Sequence, residues 1–229
     1  EECEDAEDYI LLEEMPFATN GEGYTSRVRM TLALYNAETD ETKLLTPPMF
    51  MLGAFRWAGK QLVYTGHSYT TVKAKTKGMY AYSLATGETR TLVEDGALAI
   101  YHIGEEEGTV LFTASDLKQY GSASGQDFYK LSLAGGGCEK LLAHELVPGT
   151  SPITDSTYGS GNAFVCAQGA AYYIVLDRFQ SHIRSIDAAG VQQEILGFDG
   201  GIQMLDMRGG ATVFVGMQKN SLQELYVLA

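Results

Sequence analysis

The sequence is poor in positive charge. It contains 16 Lys and Arg residues against 29 Asp and Glu residues, which gives a formal net charge of −13. Nucleic-acid binding needs a basic surface that neutralises phosphates, and anionic membrane surfaces attract basic segments. The composition therefore excludes both from the predicted partners: no nucleic acid and no membrane. The excess of acidic residues is of the kind that keeps a protein soluble.

Long apolar runs, targeting signals and cysteines are also scarce. No stretch approaches the roughly 20 apolar residues of a membrane-spanning helix. The chain opens on EECEDAED, which has neither the positive charge nor the apolar core of a secretory signal. Cys3, Cys138 and Cys166 are odd in number and far apart, so neither a zinc site nor a disulfide framework is indicated. Free thiols are the default in a reducing compartment, and a cytoplasmic location is predicted.

Signals for catalysis are equally few. The segment 121–125, GSASG, is closest to the G-x-S-x-G nucleophile elbow, but it has Ala123 at the nucleophile position and lies in a predicted strand-to-strand loop. The four histidines are scattered, and structural roles are favoured over metal ligation. They are His67, His102, His144 and His182. Cys166 lies in a predicted strand, which favours an inert thiol. No catalytic residue, metal or cofactor is predicted.

What the chain does contain is a strong strand pattern, clearest between Trp57 and Glu94. Strands are predicted over 62–65, 79–84 and 89–93, where apolar, β-branched and aromatic residues alternate with polar ones. Glycine-containing turns separate them, as in antiparallel hairpins. Glycine supplies 26 of the 229 residues, more than the average of about 7 %, which fits a fold with many tight turns. No segment shows the periodicity and caps of a helix.

This pattern recurs along the chain. Residues equivalent to Leu84, at the end of the third strand, are spaced 47, 49, 53 and 42 residues apart: Ala37, Leu84, Leu133, Ile186 and Leu228. The second strand recurs with them, as GKQLVYTG, EGTVLFTA, QGAAYYIVL and GGATVFVG. All-strand repeats of about 40–50 residues are typical of propeller blades.

The predicted fold class is therefore all-β, a segment of a β-propeller. Residues 1–229 form one domain of about five four-stranded blades, and the terminal two are predicted to be incomplete. The approximate blade bounds are 1–46, 50–94, 97–142, 145–196 and 198–229.

Four segments, in chain order, resemble a known family: NGEGYTSR after MPF, ASDLKQYG at 114–121, TDSTYGSG at 154–161 and LQELYVLA at 222–229. They are similar to the propeller of acylaminoacyl-peptidase-like members of the prolyl oligopeptidase family of serine peptidases. The resemblance implies part of a seven-bladed propeller that caps a C-terminal α/β-hydrolase domain with a Ser-Asp-His triad. That catalytic domain is expected to lie outside these 229 residues.

The role implied by this resemblance is steric control of access to an active site. The propeller would cover the active site of the hydrolase domain and admit only short, unfolded peptides. The implied partners are that domain and short peptides, and unpaired blade edges would favour a homo-oligomer. The alternative is a stand-alone propeller that acts as a protein-interaction scaffold, although the Gly-His…Trp-Asp signature of common scaffold repeats is missing. A propeller enzyme acting on sugars or small esters would need converging carboxylates or histidines, and no spacing supports it.

Candidate substrate-binding residues surround the NGEGY turn. A strand is predicted over 29–36. Arg27 and Arg29 follow the turn at i, i+2 spacing, so on a strand both guanidinium groups would project from one face and clamp a peptide carboxylate. Glu22 would meet the N-terminal amine of a substrate. The alternatives are that the arginines balance nearby acidic residues and that Glu22 is a solvated turn residue.

Overall fold

A computed structural model describes residues 11–149 and 161–228. Apart from one 3-10 turn, Gly121–Ala123, every regular element in these two ranges is a β-strand. No helix in the described ranges is long and apolar enough to cross a membrane. Cys3, the acidic start of the chain and the segment 154–160 of TDSTYGSG lie outside the described residues.

The strands pair antiparallel with their neighbours in the chain. They are β1 (Ala18–Thr19), β2 (Gly23–Tyr24), β3 (Ala33–Asn36), β4 (Glu41–Leu44), β5 (Phe50–Ala58), β6 (Gln61–Ser68), β7 (Gly78–Ser83), β8 (Thr89–Val93), β9 (Ala99–Glu106), β10 (Thr109–Ser115), β11 (Asp127–Ser132), β12 (Glu139–Leu142), β13 (Phe164–Ala167), β14 (Ala170–Asp177), β15 (Gln180–Asp187), β16 (Gln192–Phe198), β17 (Gly200–Arg208), β18 (Ala211–Gln218) and β19 (Glu224–Leu228). Beside the hairpin β1–β2 they form sheet 1 (β3–β4), sheet 2 (β5–β8), sheet 3 (β9–β12), sheet 4 (β13–β16) and sheet 5 (β17–β19). The predicted all-β fold class is confirmed.

Tight turns join the first and second strands of sheets 3 and 4. In both turns the two central residues have positive φ: 51° and 79° at Glu107 and Gly108, and 55° and 77° at Gln168 and Gly169. Positive φ at both positions is the feature of a type I′ turn, whose twist matches that of the flanking strands, and glycine adopts it without steric cost. Alternating strands around such a dipeptide therefore close into hairpins.

The core lies between the faces of successive sheets. Phe112 of β10 packs with Val63 and Met79 of sheet 2. Leu111, the preceding residue on the same strand, packs with Tyr173 of sheet 4. Side chains alternate across a strand, so one strand contributes to two separate layers of core. The first strands of sheets 2 to 5 also contact one another in order, as blades do around a propeller axis.

The two ends of these sheets carry different connections. In a sheet of consecutive antiparallel strands, the second strand ends and the third begins at the same end of the sheet. This end, here termed the loop face, carries the connections 69–77, 116–126, 178–179 and 219–223. The first two lie side by side, because Lys75 Nζ donates a hydrogen bond to Ser122 Oγ at 3.0 Å. Loops on a rigid scaffold are common positions for binding residues.

The start of sheet 1 differs from the prediction. The strand expected over 29–36 begins only at Ala33, and Arg27 lies in a turn with a φ of 61°. The Arg27 N–H donates to Glu14 Oε2 at 2.7 Å, and the Leu32 N–H donates to Thr46 Oγ1 at 3.0 Å. A side-chain oxygen thus satisfies the Leu32 N–H, which the predicted strand would have paired in a ladder.

Gly66 is a position of close approach between β5 and β6. A Cβ there would meet the Phe50 ring and lie 2.5 Å from the Met51 carbonyl oxygen. We expect Gly66→Ala to lower the free energy of unfolding by about 1–3 kcal/mol, because overpacking forces neighbouring groups to move. Gly137→Ala is the control, since nothing lies within 4 Å of a Cβ at that position. Urea titration of both variants checks this, and a Gly66→Ala variant as stable as the control would contradict it.

Candidate functional site

The segment before β1 and the connection 69–77 run together on the loop face. The Met15 N–H donates to the Thr71 carbonyl oxygen at 2.7 Å, and the Lys73 N–H donates to the Met15 carbonyl oxygen at 2.8 Å. Arg29, which follows β2, bonds both Glu14 and the Tyr69 carbonyl oxygen of this connection. The candidate site is therefore assembled from the two segments that flank the hairpin β1–β2 and from the connection 69–77 of sheet 2.

Arg29 is buried and forms an ion pair with Glu14 inside the protein. Its side chain is 4 % exposed and that of Glu14 is 2 % exposed. Arg29 Nη2 donates to Glu14 Oε1 at 2.6 Å and Nη1 donates to Oε2 at 3.0 Å, which makes a bidentate pair. The guanidinium carbon also lies 3.7 Å from the centre of the Tyr69 ring, and Nη2 donates to the Tyr69 carbonyl oxygen. The hydrogen bonds from Arg29 hold the pKa of Glu14 below its usual value.

Arg27 and Glu22 have different surroundings. The Arg27 side chain is exposed and forms an ion pair with Glu13 at the surface. Glu22 is exposed in the turn between β1 and β2, where its N–H donates to the Thr19 carbonyl oxygen at 3.1 Å. The structure thus places Arg29 inside, paired with Glu14, and leaves the other two candidates outside. Contacts of Arg27 and Glu22 with a peptide stay a prediction.

The segment 121–125 forms no nucleophile elbow. It lies in the connection between β10 and β11, as predicted, and contains the single 3-10 turn. Ser124 Oγ accepts a hydrogen bond from the Tyr120 N–H at 3.2 Å, and Ser122 Oγ accepts the bond from Lys75. A nucleophile elbow requires a sharp turn from a strand into a helix, and this connection leads from one strand to the next.

His102, His144 and Cys166 occupy structural positions. His102 Nε2 lies 3.0 Å from the Pro148 carbonyl oxygen, to which it donates. Burial lowers the pKa of three histidines and so favours their neutral forms: His67, His102 and His144. Cys166 lies in β13, where burial raises the pKa of its thiol to about 12. A nucleophilic cysteine needs the opposite shift.

A polar cavity of about 550 Å³ opens on the loop face beside the connection 116–126. Asp127 lies in it, accepts a hydrogen bond from the His144 N–H at 3.0 Å and pairs with Lys140 at 2.5 Å. Asp127 and Lys140 therefore neutralise each other, while Asp116 and Glu145 also line this cavity. Among the described residues, no three His, Cys, Asp or Glu side chains are grouped so that they could hold a metal ion.

The sequence analysis missed one group of charged residues on the loop face. Lys73, Lys75 and Lys77 all lie in the connection 69–77, next to the Glu14–Arg29 pair. The signal was present as an i, i+2, i+4 spacing of cations in an acidic chain. This spacing is a weak signal because surface lysines are common, and the sequence alone does not show which residues lie next to them.

Comparison with known proteins places this geometry in context. No protein-family model and no curated protein matches the chain. Acylaminoacyl peptidase from Pyrococcus horikoshii superposes with a TM-score of 0.71 at 15 % identity, over 98 % of this chain and 33 % of that chain. The β-propeller domain of the Trilobed protease from Pyrococcus furiosus gives 0.62 at 14 % identity, over 86 % and 58 %. An oligogalacturonate lyase in complex with manganese gives 0.58 at 14 % identity, over 89 % and 57 %.

The chain spans about a third of the length of the acylaminoacyl peptidase that it matches. Identities of this size show a shared fold, and a fold hosts several functions. The three proteins illustrate this, since two are named as peptidases or proteases and one as a lyase. The predicted resemblance to peptidase propellers is confirmed at the level of the fold: the described residues form a β-propeller segment of antiparallel sheets.

Proposed function

We propose that this chain is the non-catalytic propeller region of a serine peptidase of the prolyl oligopeptidase type. It would control the access of short peptides to a C-terminal hydrolase domain outside these 229 residues. The observation that carries the proposal is the superposition of 98 % of the chain on an acylaminoacyl peptidase. The four motif segments that resemble this family, in its order, support it independently.

Access control follows from rigid packing. Val63, Phe112 and Tyr173, which lie in the layers between sheets, are fully buried, so separating the sheets would expose apolar surface at a high cost. An extended peptide is about as wide as one strand, roughly 5 Å between neighbours in a sheet. A folded domain of 100 residues has a radius of gyration of about 13 Å. In this proposal an opening framed by such sheets would pass peptides and exclude folded proteins, and the site enclosed with the hydrolase domain would exclude water.

The partners in this proposal are the hydrolase domain, short peptides and, through strand edges such as that of β19 that pair with no further strand among the described residues, other copies of the chain. Arg27 and Glu22 are the exposed side chains proposed to contact the ends of a peptide. Both are accessible without any rearrangement of the buried Glu14–Arg29 pair.

Labelling with a fluorophosphonate serine probe tests the proposal. We expect no labelling and no turnover of acyl-peptide anilides by these 229 residues, because the segment closest to an elbow has Ala123 at the nucleophile position. The protein made from the complete natural reading frame is the matched sample. It should contain about 250 further residues with a G-x-S-x-G motif, the size of a hydrolase domain, and should label at one serine.

Two outcomes would contradict the proposal. Stoichiometric labelling of the 229-residue chain would show that it is itself catalytic. A complete natural protein without a hydrolase domain would favour the alternative, a stand-alone propeller that acts as an interaction scaffold.

A further inference from the structure

The connection 69–77 concentrates positive charge in an acidic protein. Three of the 16 basic residues, Lys73, Lys75 and Lys77, lie within five positions of one another. None of them takes part in the ion pairs formed by the described residues. Like charges at this spacing repel, and with 29 acidic residues in the chain an unpaired cluster is unexpected.

The cluster is held in place by its backbone and by neutral acceptors. The Lys73 N–H is bonded to Met15, and the Lys77 N–H donates to the Leu98 carbonyl oxygen at 2.9 Å. Lys75 Nζ donates to Ser122 Oγ at 3.0 Å, and Lys77 Nζ donates to the Ile100 carbonyl oxygen at 3.1 Å. The backbone bonds fix the connection, the two Nζ bonds go to neutral acceptors, and no carboxylate among the described residues forms an ion pair with the three ammonium groups. A fixed backbone lowers the entropic cost of bringing the three lysines to one anion.

His67, at the end of β6, supplies a second and independent observation. It is 1 % exposed, and neither ring nitrogen has a hydrogen-bond partner among the described residues. Burial lowers its pKa, and the charges of Lys73, Lys77 and Arg29 lower it further, while Asp95 acts in the opposite direction. The ring is therefore neutral at pH 7 and has one N–H without an acceptor. Buried polar groups in proteins are normally paired.

The Lys77 side chain extends from this connection to β5 and β9, the first strands of sheets 2 and 3. A Cβ on Gly53 of β5 would lie 3.3 Å from Lys77 Cδ, so the Lys77 side chain crosses this strand. The charges of Arg56 and Lys77 also contribute to the lowered pKa of His102 on β9. The cluster thus lies where sheets 2 and 3 meet at the loop face, near the axis along which a peptide would pass in the proposed function.

We propose that the connection 69–77 and His67 form an anion-binding site that takes a carboxylate of a peptide, either its C-terminus or an Asp or Glu side chain. Lys73 and Lys75 are exposed and provide ammonium groups on a fixed backbone, Lys77 provides a positioned charge, and His67 provides a neutral N–H donor. Asp95 limits the net positive charge of the site. The choice of a peptide as the source of the carboxylate rests on the proposed function; the anion site itself does not.

The test is a titration of the isotope-labelled 229-residue chain, followed by NMR and calorimetry. The probes are acetyl-Ala-Ala-Ala with a free carboxylate, the same peptide as its C-terminal amide, and inorganic phosphate. We expect the carboxylate peptide to bind, to shift the ring resonances of His67 and to weaken as NaCl is raised, because exposed charges are screened. The amide should bind at least tenfold more weakly.

A pair of double variants gives the matched comparison. Lys73→Gln with Lys75→Gln should weaken binding of the carboxylate peptide at least tenfold, and the corresponding double arginine variant should retain it. Lys118→Gln with Lys219→Gln removes two lysines from other loop-face connections and should leave binding unchanged. Urea titration confirms that each variant is folded.

Three results would overturn the inference. Equal binding of the carboxylate peptide and its amide would show that the site does not recognise the negative charge. Binding without a shift of the His67 resonances would show that the peptide binds at another place. Binding of phosphate but not of the carboxylate peptide would assign the site to another source of anion. None of these results changes the outcome of fluorophosphonate labelling, so the site and the proposed function can fail separately.

Discussion

Replacing Phe112 with alanine is expected to lower the free energy of unfolding by about 3–5 kcal/mol. Phe112 is fully buried in β10, stacks on Tyr129 with ring centres 5.3 Å apart and packs against Val63 and Met79 of sheet 2. The substitution removes contacts on both sides of the layer between sheets 2 and 3 and leaves a cavity there. Urea titration at pH 7 measures the change.

Phe179→Ala is the matched control for this prediction. Phe179 is 91 % exposed at the tip of the hairpin between β14 and β15, and removing an exposed side chain changes stability by about 0.5 kcal/mol or less. The same chemical change thus tests burial alone. If the two variants unfold at the same urea concentration, sheets 2 and 3 are not stacked through Phe112.

Glu14→Gln is expected to lower the free energy of unfolding by about 2–3 kcal/mol. The substitution keeps the size of the side chain, but the buried guanidinium of Arg29 loses its charged partner, and the bond from the Arg27 N–H loses a charged acceptor. Glu13→Gln is the control, since its pair with Arg27 is exposed and such pairs contribute less than about 1 kcal/mol. Thermal or urea unfolding compares the two.

The pH dependence of stability provides a second measurement of the same pair. The pKa of Glu14 is lowered in the folded state, chiefly by the hydrogen bonds from Arg29. A depressed carboxyl pKa contributes stability that is fully present above the unfolded value, roughly 4.3, and is lost as the pH falls through the lower folded value. The wild-type chain should therefore lose more stability than Glu14→Gln between pH 5 and pH 3. Parallel curves for the two proteins would contradict an ionised, paired Glu14.

Much of the strand layout could be predicted from short-range patterns. Residues 89–93 were predicted as a strand and form β8, and the segment 121–125, predicted to lie in a strand-to-strand loop, lies in the connection from β10 to β11. These features depend on alternation with a period of two and on turn residues, both of which act over a few neighbouring positions. The prediction was wrong at 29–32, where the Leu32 N–H donates to the Thr46 side chain and the Met30 and Leu32 carbonyl oxygens accept bonds from two separate segments, so no continuous ladder forms.

The candidate site was only partly visible in the sequence. Arg27 and Arg29 have the same spacing and chemistry as a carboxylate clamp, yet one is exposed and the other is enclosed with Glu14. Nothing within the motif distinguishes them, because the difference comes from the segment 13–15 and from Tyr69, 40 residues away. For the same reason composition could not predict that His67 is buried or that Lys73 and Lys75 form no ion pair among the described residues.

The sequence by itself determined the all-β fold class, the order of hairpins and the acidic surface, since alternation, turn chemistry and charge are properties of neighbouring residues or of composition. Only the tertiary structure decided which side chains come into contact. Glu14 reaches Arg29 across 15 positions and Lys75 reaches Ser122 across 47, because stacked sheets bring separate connections to one face. Burial and pairing are consequences of that stacking, and they distinguish an arginine that holds the fold together from lysines positioned to bind an anion.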